Sequence, residues 1–240
     1  MRRFSRLFAW MLLGLCSAGA DPQVDRLFAL ARSVNAGLID YTAEVDIDLQ
    51  ATAGPLHYQP KGCGTYFYKK TDRHKLEVSG LPSQLRQYPM VFGFNLPHLE
   101  KFTAIVAGAP DHKGRAVYQC RLIPISPDNS IRQIDLLIDQ ANFTVPNYVN
   151  TYKNGGTVCV EIEYTTVDRF TVFDRMKAQA NFPSAGIVAT GEAKYSHYLF
   201  NKNLPDSLFV NSRHGWVLGT VPAPATPSPK SGLPLPLLVG

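Results

Sequence analysis

The sequence contains no apolar run long enough to cross a bilayer. Its longest apolar stretch, from Leu7 to Leu15, is about half the ~20 residues a spanning helix needs, so a permanent anchor is disfavoured. Four cysteines in 240 residues are too few for a disulfide-built scaffold. Excess charge is also scarce. The formal balance is +5, but setting aside Arg2, Arg3 and Arg6 leaves 21 basic residues against 19 acidic, too small an imbalance to drive nucleic-acid binding. Local catalytic signatures are missing too: there is no Gly-x-Ser-x-Gly elbow, P-loop or dinucleotide glycine fingerprint. The six histidines, His57, His74, His98, His112, His197 and His214, stand at no recognised metal spacing. No metal, other cofactor or nucleic-acid partner is therefore expected, and no enzymatic activity.

What is present is apolar content and punctuation. Hydrophobic residues make up 45% of the chain, enough for a core, and 18 Gly with 18 Pro divide it into short segments. Residues 1–20 read as an export signal: a cationic start, the apolar run, then Ser17-Ala18-Gly19-Ala20, with cleavage expected after Ala20. A competing reading has cleavage before an acylated Cys16, although Leu15 is larger than that reaction prefers. Export permits disulfides, but Cys63, Cys120 and Cys159 are an odd number. Cys120 shares a strand face with Ala116, Tyr118 and Leu122, which reads as buried, whereas Cys159 lies with Glu161 and Glu163, so a bridge between Cys120 and Cys159 is not expected.

After an opening helix (Val24, Leu27, Phe28, Leu30, Ala31 and Val34 at helical spacing, with a stop at Asn35-Ala-Gly37), period-two alternation takes over. In 41–50, Tyr41, Ala43, Val45, Ile47 and Leu49 share one face and polar residues the other, the pattern of a half-buried strand. Further strands are expected at 64–70, 74–79, 101–107, 115–123, 132–139, 144–152, 157–165, 169–179 and 187–199, joined by turns at 110–114, 126–129 and 153–156. Short turns imply antiparallel neighbours, and a sheet of ten or eleven strands tends to curl. The expected fold is mainly β: a wide, curled antiparallel sheet with a few short helices, one of them at 81–86. Residues 21–220 form this domain. The stretch 221–240 holds six of the prolines and reads as a disordered tail.

The paired carboxylates Asp46/Asp48 and Glu161/Glu163 fall on one strand face each, a spacing that would suit a hydrolase. Apolar opposite faces make a solvated outer surface the simpler account. Gly62-Cys63-Gly64 opens a strand rather than a helix, so close backbone approach explains it better than phosphate binding. The apolar face itself is the candidate site: Tyr41, Val45, Ile47, Leu49, Tyr118, Leu122, Ile134, Leu136, Ile138, Val158, Val160, Ile162 and Tyr164 either form a plain core or line a hollow that helices do not fill.

The arrangement resembles the LolA/LolB superfamily of outer-membrane lipoprotein-sorting proteins and the related RseB-type sensor domains. The resemblance is carried by the export signal and opening helix, by Ile39 to Ile47, by Tyr66 to Val78, and by Gly114 to Pro124. It continues in Arg132 to Asp139, Tyr152 to Gly156, and Asn203 to Phe209. It implies a periplasmic half-barrel whose hollow holds acyl chains of lipid or lipoprotein, partnered by a membrane or by inner- and outer-membrane sorting proteins. An alternative with the same fold is a periplasmic sensor that binds a protein partner.

Overall fold

The computed structural model describes residues 21–70, 72–81, 93–209 and 216–219. The expected export signal (1–20), the tail (221–240) and all but the first residue of the expected 81–86 helix lie outside them.

Helix α1 (Pro22–Ser33) starts where its chemistry directs. The Asp21 side chain accepts from the Gln23 N–H at 2.9 Å, Pro22 occupies the first turn, and Asp25 and Arg32 sit at the ends that suit their charges. Val24, Leu27 and Phe28 form its buried stripe. The Asp21 N–H also donates to the Ala104 carbonyl at 2.9 Å, fixing the start of the helix against an edge of the sheet.

The rest is strand: β1 (Asp40–Ala53), β2 (Leu56–Tyr58), β3 (Lys61–Lys69), β4 (Arg73–Ser79), β5 (Phe102–Gly108), β6 (Asp111–His112), β7 (Arg115–Pro124), β8 (Ile131–Asp139), β9 (Asn147–Tyr152), β10 (Thr157–Val167), β11 (Phe170–Phe182), β12 (Ile187–Phe200) and β13 (Trp216–Gly219). They pair in the order β13-β4-β3-β1-β12-β11-β10-β9-β8-β7-β5, with β2 added to β1 and β6 to β7. Every pairing is antiparallel except β13 with β4. The edges β13 and β5 do not meet, so the sheet is an open half-barrel rather than a closed one. The first long strand is central, because β12 returns to lie beside β1 along nearly its whole length.

Alternation decides the inside. Tyr41, Ala43, Val45, Ile47 and Leu49 of β1 are buried, as are Ile134, Leu136 and Ile138 of β8 and Val158, Val160 and Ile162 of β10. They share one core with the stripe of α1. Cys120 is buried in that core, exposed Cys63 and half-buried Cys159 lie elsewhere, and all three are free thiols. The glycine pair in β3 marks close approach: a Cβ on Gly64 would stand 1.8 Å from the Glu77 carbonyl oxygen of β4.

Several expectations are corrected. Ala116 is exposed and its neighbour Val117 buried, because Arg115 and Ala116 pair with the two-residue β6, a hairpin that projects past the core. Strand β9 begins at Asn147, not 144, since Asn142 and Asp139 side chains hold 139–144 in a turn by accepting from the Thr144, Ala141 and Asn142 N–H groups. The turn expected at 153–156 does join β9 to β10, with the Tyr152 N–H donating to the Gly156 carbonyl across it. Lys113-Gly114, with both φ positive, makes the tight turn within the expected 110–114. Strands β2, β6 and β13 were not expected, and α1 is the only α-helix among the described residues. None there is long and apolar enough to cross a membrane.

Candidate functional site

The core does not fill the concave face completely. Between the last turn of α1, the segment 94–100 and the inner face lies a cavity of about 480 Å³. Ala31, Val34, Asn35 and Leu38 form one wall, Phe94 and Leu96 another, and Phe143 and Val145 a third. The floor is aromatic: Tyr41 of β1, Tyr68 of β3, Tyr164 of β10 and Phe173 of β11, with Val172 and His74 beside them. Arg32, Lys70, Asp72, His98 and Glu100 stand around it as the charged lining.

Polar ties hold the walls apart. The Asn35 amide donates to the Thr171 carbonyl at 2.6 Å and accepts from the Thr171 N–H at 2.9 Å, fixing the end of α1 to β11. Arg32 donates to the Pro97 carbonyl at 3.1 Å, and Asn95 to that of Asp72 at 3.2 Å, so 94–100 is bound both to the helix and to the β3–β4 turn. The Tyr164 hydroxyl donates to the Val145 carbonyl at 3.2 Å.

The floor carries no charge at neutral pH. Burial pulls His74 down to about 3, and the Tyr66 hydroxyl meets its Nδ1. Burial pushes Tyr68 up to about 12, helped by the Asp72 charge, and also raises Tyr41 and Tyr164. At the rim, burial raises the Asp72 carboxyl while Arg32 and His98 oppose the shift. An uncharged aromatic floor below a charged rim suits a ligand with a hydrocarbon body and a polar end.

Of the residues expected to line a hollow, Tyr41 and Tyr164 border this cavity. Val45, Ile47, Leu49, Leu122, Ile134, Leu136, Ile138, Val158, Val160 and Ile162 are buried in the packed core on the same face, and Tyr118 is half-buried against it. Sequence reasoning missed Tyr68, His74, Val172 and Phe173. The strands that carry them were expected, but alternation says nothing about where along a face the filling stops. The wall from 94–100 gave no periodic signal, and 144–145 was read as the start of a strand rather than as a wall.

A wider depression of about 710 Å³ lies over the outer face around Asp46, Asp48, Lys61, Lys177, Glu192 and Lys194. Four of its charges pair with one another: Lys61 meets Asp48 at 3.0 Å and Lys194 meets Glu192 at 3.5 Å. Glu161 and Glu163 also point outward, to Lys113 at 2.7 Å and Lys177 at 3.6 Å. Asp48, Glu161 and Glu163 are thus solvated ion-pair partners, and Asp46 is exposed on the same outer face.

No family model matches the chain, and no curated protein matches it. Solved structures do. An outer-membrane lipoprotein-sorting protein domain from Vibrio parahaemolyticus superposes with a TM-score of 0.57 at 11% identity, over 77% of this chain and 95% of its own. A DUF1329 family protein from Desulfovibrio piger does so at 0.52 and 12%, over 78% and 97%. A LolA superfamily protein from Nitrosomonas europaea superposes more loosely, at 0.45 and 10%, over 78% and 96%. The chain has the LolA/LolB-like fold.

Proposed function

We propose that this protein is an exported, non-enzymatic carrier that shelters the acyl chains of lipids or lipidated proteins in the cavity under α1. The observation that supports this most directly is the aromatic, uncharged floor beneath a charged rim, in a cavity of about 480 Å³ within the ~300–1,000 Å³ range of small-molecule sites. A hydrocarbon chain needs little more. Each buried CH₂ contributes about 0.8 kcal/mol, so a 14-carbon chain gains roughly 11 kcal/mol on leaving water, before the entropic cost of ordering it. Apolar contacts without directed hydrogen bonds also let the chain pass on to a membrane. The reading of 1–20 as an export signal, with cleavage after Ala20, supports a periplasmic setting for this exchange.

The test is displacement of a fluorescent fatty acid by unlabelled palmitate, on the wild type and on Ala31→Trp. Ala31 faces the cavity from the last turn of α1 and is only partly buried, so the larger side chain fills the cavity and spares the core. The variant is expected to bind about tenfold more weakly or worse, the equivalent of losing burial of roughly two methylenes, with an unchanged melting temperature. Equal affinity in both proteins would remove the cavity from the account.

A further inference from the structure

The inner apolar face does not stop where the core stops. Along β1 the inward positions run on from Leu49 to Ala51 and Ala53, which are progressively exposed. Their register partners continue the surface. Ala51 lies between Tyr58 of β2 and Ala189 of β12, and Ala53 between Leu56 and Ile187, with Phe182 beyond. Leu56 is 70% exposed, Tyr58 47% and Ile187 37%. A Gly54 N–H to Gly186 carbonyl bond of 3.4 Å ties the β1–β2 and β11–β12 hairpin tips together. No charged residue occurs in 49–60 or in 178–191. The result is an uncharged apron with aromatic members at the end of the half-barrel away from the lipid-sized cavity, a surface that water covers at a cost.

The chain itself contains a segment of matching chemistry. Strand β13 runs parallel to β4, and β4 runs in the direction of β1, so Gly219 leaves the sheet heading toward the apron end. Through the register, Gly219 is level with Glu77, Thr65 and Glu44, nine residues short of Ala53 and three strands across. At ~3.3 Å per residue and ~4.8 Å per strand that span is roughly 33 Å. Residues 220–232, four of them proline, reach about 40 Å when extended at ~3.1 Å each. Beyond them come Leu233, Pro234, Leu235, Pro236, Leu237, Leu238 and Val239, with no charge after Lys230. Alternating leucine and proline favours the preformed extended helix that docks on aromatic, uncharged grooves with little loss of entropy.

We propose that 233–239 of this chain docks on the apron formed by Leu56, Tyr58, Phe182 and Ile187. The proposal does not depend on what the cavity under α1 binds. It is tested in the full chain with p-benzoylphenylalanine placed at position 56, where 70% exposure leaves folding untouched. Irradiation is expected to give an intrachain crosslink to 233–239 in the monomer. The crosslink should vanish when Leu233, Leu235 and Leu237 are changed to Ser, and it should not form from position 188, on the opposite face. Amide exchange in 51–58 and 182–189 should be about tenfold slower with the tail than after removal of 220–240, as for hairpins that lose a covering element. Crosslinks only to a second copy or to phosphatidylglycerol vesicles would assign the apron to that occupant and overturn the proposal. Exchange unaffected by the tail would overturn it as well.

Discussion

His74 shows how much a single buried side chain can couple to the whole fold. It is 2% exposed, and burial holds its imidazole at about 3, far below the ordinary value near 6.5. In the unfolded chain the same group titrates normally, so between about pH 6.5 and 3 the unfolded state binds more protons. Stability from keeping His74 neutral is therefore fully present above pH 6.5 and is lost as pH falls through that window. The slope approaches about 1.4 kcal/mol per pH unit if His74 alone titrates. Urea melts from pH 7.5 to 4 should show this decline, and His74→Phe should flatten it even if the variant is less stable throughout; an unchanged slope in the variant would locate the proton uptake elsewhere. Little of this was legible beforehand. The sequence marks His74 only as a strand residue beside Arg73 and Asp72. Its burial follows from Tyr41, Tyr66 and Tyr68 packing over the same strip, where the ring centroids of Tyr66 and Tyr68 come within 5.8 and 5.2 Å of the imidazole. Cys120 was easier, because Tyr118 and Leu122 flank it at alternating positions of β7, although Ala116, read as a third, is exposed.

Among the elements, strands of six residues or more were readable because alternation repeats often enough to fix a face. Strands β2, β6 and β13 have three, two and four residues. They exist through pairing with a longer neighbour, and no local pattern encodes that. The helix is the converse case. Its stripe and caps were visible, but its landing place was not, and that place creates the cavity wall. The landing is fixed largely by Asn35, whose amide holds both the N–H and the carbonyl of Thr171 in β11. Asn35→Ala should cost about 1–3 kcal/mol, since two partly buried backbone groups lose their partner. The loss should appear in thermal melts, and exchange protection in 22–34 should fall more than that in β1. Uniform loss across the protein would mean that α1 and the sheet unfold only together and that Asn35 has no special hold on the helix.

At the scale of the molecule, an open sheet of this width has one concave face and too few covering residues to fill it. Most of that face is occupied by its own side chains, as Leu136, Ile138 and Val160 show with no exposed surface. The fold class could be inferred from strand count and turn spacing. The division of the concave face into packed core, open cavity and exposed apron could not, because it depends on where α1 and 94–100 come to rest. The central claim is that the opening left under α1 holds an acyl chain. Mass spectrometry of an organic extract, from signal-cleaved protein purified without detergent, tests it most directly. Fatty acid or lipid at about one per protein, and its loss in Ala31→Trp, is the predicted result, since a chain worth roughly 11 kcal/mol of burial should survive purification. A homogeneous wild-type protein that yields no lipid, and takes up none when incubated with vesicles, would contradict the account.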